Sequence, residues 1–175
     1  MTSPSSPTKF YTADAYVLDE SVGYVMKRVL TSVVQQADIS LEPHGVTHAQ
    51  WYALFKLCSD RKPMAVAELA RELQMDTGAM TRLLDRLERK GLCKRVRSTK
   101  DRRVVMIRPT PEGESTAALI PAVVSEVLNA HLAGFSEVEW RTLMGYLRRM
   151  LENGDKIREA RISAHSETSD APLTS

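Results

Sequence analysis

Eleven basic residues crowd the stretch from Arg82 to Arg108: Arg82, Arg86, Arg89, Lys90, Lys94, Arg95, Arg97, Lys100, Arg102, Arg103 and Arg108. Only Asp85, Glu88 and Asp101 oppose them, which leaves a local charge of +8. The whole chain of 175 residues carries +2, so everything outside this stretch sums to −6. Solvated helix faces interleave both signs, and this segment does not. A one-sided concentration of cations is the electrostatic footprint of a nucleic-acid-binding surface. The chemistry open to these residues is charge-assisted bonding to phosphate and, for Arg, bidentate recognition of guanine.

Other chemistries find little in the sequence. It contains no Gly-rich phosphate loop, paired-carboxylate motif, metal spacing or activated nucleophile, so no enzyme activity, cofactor or metal is expected. Cys58 and Cys93 are too few for a disulfide framework and have no zinc spacing. The polar N-terminus lacks the organisation of a secretory signal, and no apolar run is long enough for a membrane helix, so a cytoplasmic protein is expected. A purely helical interaction module is a remote alternative that would not need the +8 segment.

The basic stretch must be positioned by the elements around it. Leu18, Val22, Val25, Val29 and Val33 recur at steps of four and three, predicting an amphipathic helix from Asp14 to about Ala37. Leu41 to Gly45 reads as a loop. Thr47 with Gln50 makes a capping-box pattern opening a second helix, with Trp51, Leu54, Phe55 and Cys58 as its buried face. Ser59 to Pro63 ends it. Val66, Leu69, Ala70 and Leu73 share one helical face, as do Met80, Leu83, Leu84 and Leu87. Between these two short helices lies Gln74-Met75-Asp76, with Asp76 placed to cap the second and Gly91 to stop it. Two short amphipathic helices so closely joined are a helix-turn-helix.

Past Gly91 the pattern becomes strand-like. Cys93 to Arg97 and Arg103 to Arg108 flank the loop Ser98 to Arg102, predicting a hairpin too small to stand alone, whose basic tip projects as a wing. Thr110 to Gly113 starts another helix, with Pro111 in its first turn and Pro121 inside it as an expected kink, running to about Ala133. Ser136 and Glu139 form a second capping box. The final helix is expected to bury Trp140, Leu143, Met144, Leu147, Met150 and Leu151.

The fold class expected is mainly α with a small β-hairpin wing. Residues 1–13 and 163–175 read as disordered tails, 47–110 as a winged helix-turn-helix, and 14–46 with 111–162 as dimerisation helices. Leu69-Ala70, the run Thr81 to Glu88, Gly91-Leu92 and the run Asp101 to Thr110 together resemble the MarR family of transcriptional regulators. The most specific part is the wing signature, Asp101, Arg103, Ile107 and Thr110. Pro109 stands where the family usually has Leu and, lacking an N–H, predicts an unpaired edge at that strand end.

On the helix Thr77 to Lys90, the face opposite the apolar stripe carries Gly78, Arg82, Asp85, Arg86 and Arg89. The N-terminal part of a recognition helix reaches base edges, which assigns base reading to Thr77, Gly78, Thr81 and Arg82. Arg86, Lys100 and Arg102 are assigned to phosphate. The resemblance implies that Arg103 enters the minor groove, oriented by Asp101. It also implies a homodimer built from the terminal helices, which would bind a pseudo-palindromic duplex operator with half-sites about 10 bp apart. Repression is the family default. For control, an aromatic or phenolic acid would find an aromatic wall, a cation and hydrogen-bonding groups in Tyr24, Arg28, His44, His48 and Trp51. Oxidation of Cys58 or Cys93 is the alternative, since the cations around Cys93 favour a thiolate.

Overall fold

The computed structural model describes residues 8–169, apart from 61, 99, 100 and 102. Capping residues set most element boundaries. Ser21 Oγ accepts from the Tyr24 N–H at 3.3 Å and opens α1, Val22–Leu41. The helix therefore starts eight residues later than the apolar spacing predicts. Its approach is extended chain and a short 3₁₀ turn, Leu18–Glu20. The Thr47–Gln50 capping box forms as expected and opens α2, His48–Ser59.

Met64–Ala65 is a two-residue strand, β1, with no counterpart in the sequence reading. It leads into α3, Val66–Glu72. The connection to α4, Thr77–Arg89, takes Gln74 into the left-handed region at φ 51°. Asp76 then caps α4 by accepting the Ala79 N–H at 3.0 Å. Gly91, at φ 71°, ends that turn, as a residue without a Cβ can do at little cost. Strands β2, Cys93–Arg97, and β3, Val105–Pro109, form the hairpin. Helix α5, Pro111–His131, is continuous through Pro121.

The sheet is antiparallel with order β1-β3-β2, so β3 is its central strand. Pro109 lies in register with Cys93, which corrects the expectation of an unpaired edge. The pairing tolerates proline for a geometric reason. Ser98 and Thr110 donate to the carbonyls of Val104 and Leu92, so residues of even number on β3 bond towards β2. The missing N–H of Pro109 points the other way, where β1 has already stopped opposite Ile107.

The core of this winged unit gathers Leu41, Leu54, Leu57, Leu69, Met80, Leu84, Leu87, Ile107 and Ile120, all essentially inaccessible. The stripe predicted for α4 is buried as read. That of α2 holds only at Leu54, which is buried with Gln50, Ala53 and Leu57, whereas Trp51 and Cys58 are half-buried and Phe55 is exposed. Gly113 seats α5 against the strand start, because a Cβ there would overlap the Leu92 carbonyl. Thr110 fastens the same corner. Its hydroxyl donates to Gly91 O at 2.6 Å and accepts the Gly113 N–H at 3.0 Å.

The chain divides into two units, Met1–His131 and Leu132–Ser175. The second holds α6, Glu137–Ser169, opened by the Ser136–Glu139 box. Two expectations are corrected here. The helix continues past Ser163, since a solvated helix needs no apolar stripe and is supported by pairs such as Arg158 with Asp155. Its apolar residues are not buried within one chain either: Leu143, Met144 and Leu147 are half-buried, and Trp140, Met150 and Leu151 are exposed.

Candidate nucleic-acid interface

Helix α4 owes its orientation to its amphipathicity. With Met80, Leu83, Leu84 and Leu87 buried, Thr77, Gly78, Arg82, Arg86 and Arg89 are left exposed. Thr81 is half-buried, and its hydroxyl donates to Thr77 O at 2.8 Å, closing the first turn. Gly78 sits close to the Arg82 side chain: a Cβ added there would lie 3.6 Å from Arg82 Nη1. The first turn of α4 therefore presents a glycine surface beside a guanidinium. Among the described residues, neither Arg82 nor Arg86 forms an ion pair.

Not every cation of the +8 segment faces outward. Arg95 turns from β2 onto α4, where Nη2 lies 2.6 Å from Asp85 Oδ1 and Nη1 pairs with Glu88. Glu88 also accepts the Arg95 backbone N–H at 3.0 Å. The two carboxylates push the Arg95 pKa further up, led by the hydrogen bond that Arg95 donates to Asp85. Asp85, placed with the DNA-facing residues by helical rotation, is thus spent on holding the wing. Lys90 is engaged as well. Its ammonium donates to Gly45 O at 2.6 Å and to Gln50 Oε1 at 2.8 Å, tying the end of α4 to the chain before α2. Sequence reasoning missed both roles, because charge counting does not reveal which cations have partners.

At the wing, Arg103 is exposed and its guanidinium has no carboxylate partner among the described residues. Asp101 does bond Arg103, but through the backbone: Oδ1 accepts the Arg103 N–H at 2.9 Å, while Asp101 O accepts from Val104. The carboxylate shapes the turn from which Arg103 projects. Lys100 and Arg102 lie outside the described residues.

The proposed effector residues separate into groups. On α1 the Arg28 guanidinium stacks over the Tyr24 ring, 5.9 Å from its centroid. On α2, His48 meets Trp51 edge-on at 5.7 Å, and Trp51 packs against Tyr52 and Phe55 at 4.5 and 6.0 Å. Burial lowers the His48 pKa, against the pull of Asp38. Trp51 Nε1 is buried without a hydrogen-bond acceptor among the described residues. His44, half-buried, closes the 3₁₀ turn before α2. Tyr52 and Phe55 belong to this aromatic cluster and were missed. Their spacing with His48 and Trp51, at steps of three and four, was the available signal.

The two thiols are shifted towards the protonated form. Burial pushes Cys58 and Cys93 up to about 11, with Glu114 and Glu88 adding to the rise. Arg95 pulls Cys93 the other way but is the smallest influence. The cations counted around Cys93 in sequence are therefore no source of thiolate. Cys93 is also buried, its Sγ directed at Leu84 O at 3.8 Å.

Comparison with known proteins places this geometry. Residues 46–105 match the model of the MarR family. The transcriptional repressor MdtR of Bacillus subtilis (strain 168) is 36% identical over 102 residues, covering 57% of this chain. The match spans 64% of MdtR, just under two thirds of that relative. Among solved structures, a probable transcriptional regulator from Pseudomonas aeruginosa is similar with a TM-score of 0.70 and 26% identity, over 77% of this chain and 99% of that one. A mutant MarR from E. coli complexed with operator DNA is similar with a TM-score of 0.69 and 26% identity, over 74% and 93% of the two chains.

Proposed function

We propose that this chain, whose residues 46–105 match the MarR family model, is a homodimeric, sequence-specific DNA-binding repressor rather than an enzyme. The observation that carries this reading is the pair of exposed cations on α4, Arg82 and Arg86, beside a wing whose Arg103 also lacks a carboxylate partner among the described residues. Thr77, Gly78, Thr81 and Arg82 read bases in the major groove, and Arg86 binds phosphate. Arg103 enters the minor groove, where its charge suits the negative potential of narrow A·T-rich sequence. Lys100 and Arg102 add phosphate contacts from the wing loop. The likeness to a MarR solved on operator DNA supports the same docking.

Dimerisation is supported by surfaces one chain leaves uncovered. On α1, Val25, Met26, Val29 and Leu30 are 40–61% exposed. On α6, Val138, Leu151 and Ile157 are 58–72% exposed. Large apolar side chains exposed on a helix in this way mark an association site. A second copy covers it and presents two recognition helices to a pseudo-palindromic operator.

A small aromatic acid acts as the releasing effector. The α1 group supplies a cation, Arg28, stacked on Tyr24. The α2 group supplies flat surface in His48 and Trp51, with His44 at the α2 entrance and a Trp51 N–H that has no acceptor among the described residues. The acid would have to bridge the two groups. Control by cysteine oxidation is less well supported, because both thiols are held protonated.

A gel shift at two salt concentrations, with sedimentation of the free protein, tests the reading. A dimer that prefers one duplex over random DNA supports it, and a stable monomer without DNA affinity overturns it. For the effector, titration with salicylate should quench Trp fluorescence and release the duplex in wild type. Arg28→Ala should lose that response while keeping its affinity for DNA.

A further inference from the structure

The docking described above uses the tip of the wing and one face of α4, and leaves the outer face of the wing sheet without a role. Side chains alternate across a strand. Arg95 and Ile107, paired in register, face the helices, where Arg95 meets α4 and Ile107 is buried. Lys94 and Arg108, the next pair along, face away and are exposed. Residues directly opposite on neighbouring strands hold their Cβ atoms about 5 Å apart, and like charges there repel.

A third cation joins them. Lys62, exposed in the segment leading to β1, lines a trough of about 590 Å³ with Pro63, Val96, Met106 and Arg108. Past Lys62, Pro63 and Arg108 this trough continues into a second, of about 530 Å³. Glu114 and Cys58 stand at that far end, and Glu114 is its one carboxylate among the described residues. Among the described residues, none of Lys62, Lys94 and Arg108 forms an ion pair. The contrast within β2 is sharp: Arg95, facing inward, has two carboxylate partners, and Lys94 beside it has none. Repulsion left standing on an exposed face implies an external anion.

We propose that this outer wing face is a second phosphate-binding surface, taking the sugar–phosphate backbone of duplex DNA that flanks the bases read by α4 and the wing tip. The inference rests on the DNA-binding reading and extends it. Duplex DNA fits because it offers a dense row of phosphates, about one charge per 1.7 Å of axis, to a row of cations continuous with the wing. From Ser98 near the tip to Lys94 is four residues, about 13 Å along a strand. A duplex held at the tip and bent towards the sheet brings its flank to Lys94, Arg108 and Lys62, and such bending is available at flexible steps.

The test uses full-length protein and a duplex it selects from a random-sequence pool. That duplex is trimmed to the shortest length that keeps affinity, then compared with the same sequence extended by about one helical turn on each side. Wild type is expected to bind the extended duplex more tightly and with a steeper dependence on salt. The triple variant Lys62→Gln, Lys94→Gln, Arg108→Gln should match wild type on the minimal duplex. On the extended one it should lose the gain, with the salt slope reduced by about two to three units. Its Tm should equal or exceed that of wild type, because repulsion has been removed. Equal affinity and slope for variant and wild type on the extended duplex would overturn the proposal, as would a lower Tm, which would assign the three cations to holding the fold. If wild type selects no duplex at all, the DNA-binding reading itself falls, and this extension with it.

Discussion

Arg95 Nη2 lies 2.6 Å from Asp85 Oδ1, joining the first strand of the wing to the middle of the recognition helix. With Glu88 as a second acceptor, one guanidinium fixes the angle between two elements that the proposed docking sends into different grooves of one duplex. Arg suits this site because its planar fork bonds two carboxylates at once, which a Lys ammonium does with less geometric control.

Removing that link should loosen the wing more than the fold. Both partners are partly exposed, so a double-mutant cycle of Arg95→Ala and Asp85→Ala should give a coupling of about 1 kcal/mol or less in stability. The effect on selected DNA should be larger than on random DNA, because random DNA does not require the two elements in register. Anisotropy titrations on both duplexes check it. Equal losses on the two would mean that Arg95 contributes charge alone.

The thiols give a prediction with a defined sign. Folded Cys58 and Cys93 ionise near pH 11, against 9.0 for an unperturbed thiol. Between those values the unfolded chain has released protons that the folded chain keeps. Stability should therefore fall as pH rises from about 9 towards 11, and be unaffected by these groups at neutral pH. Urea denaturation across that range, repeated with Cys58→Ala and Cys93→Ala, should show the slope diminish in the variants. At pH 7.5 iodoacetamide should label the native protein far more slowly than the unfolded one.

The apolar faces predict what truncation does. Deleting residues from Ser136 onward removes α6 with its exposed Val138, Trp140, Leu151 and Ile157. Sedimentation should then show aggregate, or a monomer without affinity for the selected duplex. A truncated protein that stays a dimer and binds DNA would place the interface elsewhere.

The sequence made the helix-turn-helix legible because its two helices are amphipathic, and Asp76 and Gly91 marked the ends of the second. It misplaced the start of α1 because the apolar step from Leu18 to Val22 fits a helix, while Ser21, which caps it, carries no periodic signal. The extension of α6 to Ser169 was hidden for a related reason: a solvated helix shows no stripe. β1 is only two residues long and forms solely because β3 offers it partners. At the interface, the exposed arginines of α4 were found by rotation alone. The inward roles of Lys90 and Arg95 depend on tertiary neighbours, and helical or strand spacing does not encode them.

Affinity for a selected duplex and for random DNA, measured with wild type, Arg103→Ala and Arg86→Ala, tests the reading of sequence by α4 and the wing most directly. Wild type should prefer the selected duplex. Arg103→Ala should weaken that duplex by about 1–3 kcal/mol while the protein remains dimeric. Arg86→Ala should weaken both DNAs alike and lower the salt slope by about one unit. Wild type binding selected and random DNA equally, or Arg103→Ala binding the selected duplex as wild type does, would contradict the account.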